Sequence, residues 1–210
     1  MIGYVAEHAH YHHGELSLAS TIINLAQTFV GSNNLNLLEP DGQYGTRESG
    51  GKDHAAPRYI HTQPMPLARI IFNPFDDPLL KQQKEDNDLI EPEFYVPIVP
   101  MVLINGAEGI GTGWSTTIPC YNPVDIVANL RRLMNGEEMV AMIPWWRGFK
   151  GEIKPAGKHR YDVTGVAKKL NNTTVEILEL PVGKWTQIYK RDLEAMISEK
   201  DKEGPIKVGL

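Results

Sequence analysis

The spacing of apolar positions divides this chain into short elements. Between residues 15 and 30, Leu16, Ala19, Ile22, Ile23, Ala26, Phe29 and Val30 recur every three or four residues. That period predicts one amphipathic helix. Gly31 is placed to supply a left-handed C-cap, and Ser32-Asn33-Asn34 continue as a turn. Residues 35–38 predict a short strand, Pro40-Asp41-Gly42 a turn, and residues 43–46 a returning strand. Ser49-Gly50-Gly51 predicts a flexible loop leading into Pro57-Arg58-Tyr59-Ile60. Pro64 and Pro66 disrupt an early helix, so the next one is expected to start near Pro66. Residues 73–93 are polar and acidic and predict a solvated connection, and residues 95–104 an apolar strand region. Residues 105–113 are glycine-rich and predict a tight hairpin presenting Ile110. Asn122-Pro123 opens a helix through about Met134. Strands are expected at 149–153, 160–166 and 174–178, and a last helix from about Thr186 to Lys200. No internal repeat is present, and a domain boundary is expected near Ile98.

Composition narrows the class. At 210 residues, 41% hydrophobic and 22% charged, the chain reads as an ordinary soluble globular protein. It contains no apolar run long enough to cross a bilayer. Residues 1–9 carry neither a basic patch nor an apolar core, so no secretory signal is expected. A lone cysteine, Cys120, excludes an internal disulfide and fits a reducing compartment. The net charge of −5 argues mildly against nucleic acid as a partner, but the charge is unevenly spread. Between residues 44 and 69, Arg47, Lys52, Arg58 and Arg69 face only Glu48 and Asp53. Residues 73–98 carry seven acids against Lys81 and Lys84. Six of the seven histidines precede Thr62. The local field decides whether a phosphate is bound, more than the total does.

Four groups invite a chemical reading. His8, His10, His12 and His13 lie close enough to hold a metal or to donate to a phosphate oxygen. The run approaches His-x-His-x-Asp-His, but His12 stands at the aspartate position, which removes a ligand a second metal needs. A surface histidine cluster is the plain alternative. Gly106, Gly109, Gly111 and Gly113 suggest a dinucleotide loop, yet the third glycine of the fingerprint falls on Trp114, which excludes that site. Ile110 on the tip is then either core or a wedge between base pairs. Asp86-Asn87-Asp88 has magnesium-like spacing but sits among other acids as a solvated loop. Tyr59 adjoins Arg58, with Lys52 and His54 upstream. A phenol with pKa about 10 is only about 0.1% ionised at neutral pH, so a nucleophilic tyrosine needs such neighbours. Taken alone, Tyr59 reads as a packing residue.

Longer strings decide between these readings. Tyr11-His12-His13-Gly14-Glu15, Thr21-Ile22-Ile23-Asn24-Leu25-Ala26-Gln27 and Phe29-Val30-Gly31-Ser32-Asn33-Asn34 resemble the eukaryotic type II DNA topoisomerase family. So do Gly45-Thr46-Arg47, Gly50-Gly51-Lys52-Asp53, Pro57-Arg58-Tyr59-Ile60 and the stretch from Met101 to Ser115. Glu179-Leu180-Pro181 and Trp185-Thr186-Gln187 extend the likeness, so that it runs in order over nearly the whole chain.

The resemblance implies an α+β fold. A truncated winged-helix (CAP-like) unit over 1–98 would be followed by an α/β tower domain with a mixed sheet over 99–210. It implies that Tyr59 is the nucleophile that joins a DNA 5′ phosphate, with Arg58 stabilising the transition state. His12 and His13 would contact the scissile region. Ile110 would be the wedge that bends the duplex, and Lys52, Arg47, Ser17 and Gln27 would bind DNA. Magnesium and ATP would both be bound by parts of the enzyme outside this chain, namely the metal-binding and ATPase domains. Met1 would start mid-domain, and the chain alone would be inactive. The complete enzyme would be a homodimeric, nuclear isomerase that passes strands at the expense of ATP. Pro64 and Pro66 depart from the family, which usually has helix formers there, and Gly183 stands where an arginine is usual. The alternative reading is a non-catalytic fragment that binds and bends DNA.

Overall fold

A computed structural model describes residues 1–200 of the chain, with side chains through Met196. Helix α1 spans Ile2–His8 and α2 spans Glu15–Ala26. Leu18, Ala19, Ile23 and Ala26 form the buried stripe of α2. Ile23 and Ala26 pack with Tyr44 and Ile60 in a small core that Leu38 and Ala55 flank.

The helix stops four residues short of the apolar period. Gln27 takes an extended conformation, with φ −65° and ψ 140°. Two side chains explain the stop. The Asn33 amide donates to the Asn24 and Gln27 carbonyls (2.6 and 2.9 Å), taking acceptors a longer helix would use. The Gln27 amide turns inward and donates to the Tyr44 and Gly51 carbonyls (2.9 and 3.2 Å). Gly31, at φ 96°, lies in the loop beyond, where a Cβ would press on the Trp185 ring.

The expected strands at 35–38 and 43–46 do not pair with each other. The segment instead meets the chain after Tyr59. Leu38 bridges Pro64 and Asp41 bridges His61. Glu39 N donates to the Gln63 carbonyl and Met65 N to the Leu37 carbonyl. Long-range pairing wins here because Ile60 is drawn into the core against Ile23, Ala26 and Tyr44. Pro66 then opens α3 (Pro66–Ile71) at its first position, where a missing N–H costs nothing.

The acidic stretch is solvated, as its composition predicts, but it is not irregular. A 3₁₀ turn at Asp77–Leu79 precedes an antiparallel hairpin of β1 (Gln82–Glu85) and β2 (Asp88–Pro92). Asp86 and Asn87 form its turn, both at positive φ (48° and 74°), the conformation two-residue hairpins demand. Asp86-Asn87-Asp88 is therefore a turn. The predicted strand before residue 104 is replaced by the short helix α4 (Met101–Ile104), which follows Pro100.

Strands β3 (Ala107–Ile110) and β4 (Ser115–Ile118) form the expected glycine-rich hairpin. Helix α5 spans Pro123–Met134, with Asn122 Oδ1 accepting from Val124 N as its N-cap. β5 (Glu152–Gly157) pairs with β6 (Arg160–Thr164), and β7 (Val166–Lys169) with β8 (Val175–Glu179). Helix α6 spans Thr186–Lys200.

The described residues thus hold mixed helix and strand, but no mixed sheet. All four sheets are two-stranded and antiparallel. Each strand's partner follows it across a short turn. Parallel pairing would need a crossover of a dozen residues or more, and none of these connections supplies one.

Candidate active site

Tyr59 ends a 3₁₀ turn, Pro57–Tyr59, in which its N–H donates to the Ala56 carbonyl. Both flanks of that turn are anchored. Ala55 N donates to the Gln43 carbonyl on one side. On the other, Ile60 is buried, His61 exchanges two backbone hydrogen bonds with Asp41, and Tyr44 Oη donates to the His61 carbonyl (2.6 Å). The tyrosine is thus held on a fixed frame while the residue stands 70% exposed. The Arg58 guanidinium carbon lies 5.0 Å from the Tyr59 ring centroid. No carboxylate pairs with Arg58 among the described residues, so its donors remain open to an anion.

His8 ends α1, and His10, His12 and His13 lie in the link between α1 and α2. The His12 ring bonds Glu85 Oε1 of β1 at 2.8 Å. His10 lies between Glu85 (3.7 Å) and Asp88 (3.6 Å). All three are contacts between an acidic hairpin and a histidine run. The His13 ring meets Tyr11 edge-on, with centroids 5.6 Å apart, and Tyr11 Oη donates to Ser17 Oγ (3.1 Å). Among the described residues, no three His, Cys, Asp or Glu side chains converge as metal ligands.

The expected DNA-binding residues divide into two sets. Lys52 and Ser17 are exposed, and Ile110 is 89% exposed at the end of β3. Gln27 is only 7% exposed, and both its donated bonds go to backbone. Arg47 donates to Glu179 Oε1 (2.7 Å) and to the Leu180 carbonyl (2.5 Å). Gln27 thus spends both amide hydrogens on the frame, and Arg47 spends two of its five N–H donors there. Around them the 45–53 loop is braced twice more. Thr46 donates to Asp53 through both N–H and hydroxyl, and Trp185 packs where a side chain on Gly50 would sit.

Two residues escaped the sequence reading. Trp114 is 86% exposed beside Ile110, and only its place as the residue after Gly113 hinted at a tip. Asn34 is buried and makes four hydrogen bonds, though the sequence showed only a polar turn. The family departures fit locally. Pro64 sits in the bridge to Leu38 and Pro66 starts α3. Gly183, at φ 82°, faces open space, and Lys184 pairs with Asp192.

The family model for the DNA gyrase/topoisomerase IV A-type subunits matches residues 1–208. The chain belongs to this family. Within it, the chain is 58% identical over 206 residues to DNA topoisomerase 2 of Bombyx mori, covering 98% of this chain and 13% of that protein. It is 56% identical over 207 residues to human DNA topoisomerase 2-alpha, covering 98% of this chain and 14% of that one. A solved structure with TM-score 0.93 and 52% identity covers 95% of this chain and 27% of its own. That structure is the Plasmodium falciparum topoisomerase II DNA-binding, cleavage and re-ligation domain. The chain thus spans about one-seventh of these type II topoisomerase relatives.

Proposed function

We propose that this chain is the tyrosine-bearing DNA-cleavage segment of a type II topoisomerase. Its reaction is transesterification. The Tyr59 phenol oxygen attacks a backbone phosphorus, the bond to the 3′ oxygen breaks, and a 5′-phosphotyrosyl link forms. The released 3′ hydroxyl attacks in reverse to reseal the strand. One observation carries the reading: an exposed Tyr59 on a rigid frame, with an unpaired guanidinium from Arg58 against its ring.

Each residue then has a task. Arg58 holds the phosphate and takes up charge as it develops. His12 and His13 contact the scissile region, once His12 exchanges Glu85 for DNA. Lys52 and Ser17 meet the backbone. Ile110 enters the base stack and bends the duplex, which costs about 1–6 kcal/mol that added contacts must offset. Magnesium and ATP are assigned to other parts of the enzyme, and with them strand passage, homodimerisation and a nuclear location. The expected division is a winged-helix part over 1–98 and a tower part over 99–210.

The second reading is a DNA-bending fragment that never cuts, which the exposed Ile110 favours equally. To separate them, the chain is combined with the metal-binding portion of a relative, magnesium and a nicked duplex. A covalent adduct that Tyr59→Phe abolishes is expected. A folded, DNA-binding complex that gives no adduct would leave only the bending role.

A further inference from the structure

The Ile110 hairpin and the Tyr59 frame are far apart in sequence, and the buried polar junction between them is built around Asn34. This residue is 2% exposed. Its amide nitrogen donates to the Ile104 carbonyl (2.9 Å), where the chain enters the hairpin, and to Tyr121 (3.3 Å), where the chain leaves it. It also donates to Trp145 (2.9 Å), while Asn34 Oδ1 accepts from Arg147 N (2.8 Å). The two N–H groups are shared among three carbonyls, and the longest of the three contacts goes to Tyr121. Only a side chain with donors and an acceptor on one plane can do all four.

The neighbouring residues complete the link. Leu35 N donates to Asn105 Oδ1 (2.9 Å), and Asn105 Nδ2 donates to the Leu35 carbonyl (2.8 Å). Asn33 caps the end of α2. Leu37 accepts from Met65 N, and Glu39 N donates to Gln63, on the segment that follows Tyr59. A continuous path of hydrogen bonds and backbone therefore runs from both roots of the hairpin, through Asn34 and Leu35, to the segment that follows Tyr59.

We propose that Asn34 is a positioning residue. It fixes where Ile110 enters DNA relative to Tyr59 by tying both roots of the hairpin to the segment paired behind the tyrosine. The proposal rests on the cleavage reading above. A buried asparagine that only satisfies carbonyls would give stability and nothing more, and the two roles separate experimentally.

Asn34→Asp keeps the shape but loses the donors. Asn105→Ser loosens the same junction if Asn34→Asp fails to give a cooperative melt. Each is combined with the metal-binding portion and magnesium, as is the unaltered chain. Two duplexes are used, one fully paired and one with a mismatch at the wedge step, end-labelled so that energy transfer reads the bend. Adduct formation on the paired duplex should fall about tenfold while binding holds, since bending is the costly step. The mismatched duplex, already easy to bend, should restore most of it. Adding Ile110→Ala to Asn34→Asp should cause no further loss, because both act on one step.

An equal loss on both duplexes, an unchanged bend, or an additive double variant would overturn the proposal. If the unaltered chain forms no adduct on either duplex, the cleavage reading fails instead. The bend alone then decides for Asn34, with reduced bending supporting it and normal bending refuting it.

Discussion

At the scale of the residue, the proposed chemistry depends on one cation placed against one phenol. Arg58 has no carboxylate partner among the described residues, whereas Arg47 in the same basic stretch is tied to Glu179. The two cations thus differ in pairing although the sequence gives both the same charge. Arg58→Ala should cut adduct formation by about 10²–10³-fold with little change in DNA affinity, the usual cost of removing a preorganised donor from a charged transition state. Single-turnover adduct assays would measure it. Arg58→Lys should recover only part, because an ammonium cannot match the planar fork. Ile110→Ala should lower the bend, read by energy transfer, more than it lowers affinity. Cys120 behaves in the opposite way to a reactive group. Burial pushes its thiol up to about 11. Native protein at pH 8 should resist iodoacetamide and react once unfolded, since thiolate in the native state is about one part in a thousand. Rapid labelling of native protein would contradict that burial.

At the scale of the element, turns and loops carry the constraints that periodicity misses. Gly51 sits at φ 82°, and a Cβ there would overlap the Gln27 amide. Gly183 has the same φ but faces open space. Gly51→Ala should therefore destabilise by about 2–4 kcal/mol, and Gly183→Ala by only about 1 kcal/mol. Thermal melts of the pair would separate overlap from backbone strain. The same loop has an acid-sensitive brace. The hydrogen bond from the Thr46 hydroxyl holds the Asp53 carboxyl below its ordinary value. A depressed carboxylate stabilises the fold above its unfolded pKa, about 4, and loses that contribution as pH falls through its folded value. Asp53→Asn should be less stable than the unaltered chain at pH 7, and the gap should narrow below about pH 4. A constant gap would remove Asp53 from the brace.

At the scale of the whole molecule, charge is segregated. A basic Tyr59 region stands on a chain of net charge −5, and the acidic β1–β2 hairpin lies against His10 and His12. On the proposed function, DNA displaces those carboxylates to reach the histidines. Affinity for duplex DNA should therefore be weak. What affinity there is comes from Lys and Arg releasing counterions, so it should fall as salt rises. Titrations at several salt concentrations would test this, and salt-independent binding would count against an electrostatic contact.

Local chemistry was enough to locate several elements from the sequence. α5 begins at Pro123 because Asn122 caps it, and α3 begins at Pro66 because proline suits the first helical position. The Ile110 hairpin follows from closely spaced glycines, and α6 runs over the span its sequence suggested. Residue chemistry raised Tyr59, Arg58, His12, His13, Lys52 and Ile110 as candidates beside plain alternatives, and only the family resemblance chose between the readings. Spacing alone left Tyr59 a packing residue. Tertiary structure decided what depends on distant partners. It ended α2 at Ala26 through Asn33 and Gln27, and paired residues 38–41 with 61–64 instead of with 43–46. It turned Arg47 and Gln27 inward, and made Asn34 a junction. A hydrogen bond between residues far apart in the chain, such as Asn34 and Ile104, leaves no periodic trace, so sequence patterns could not report it.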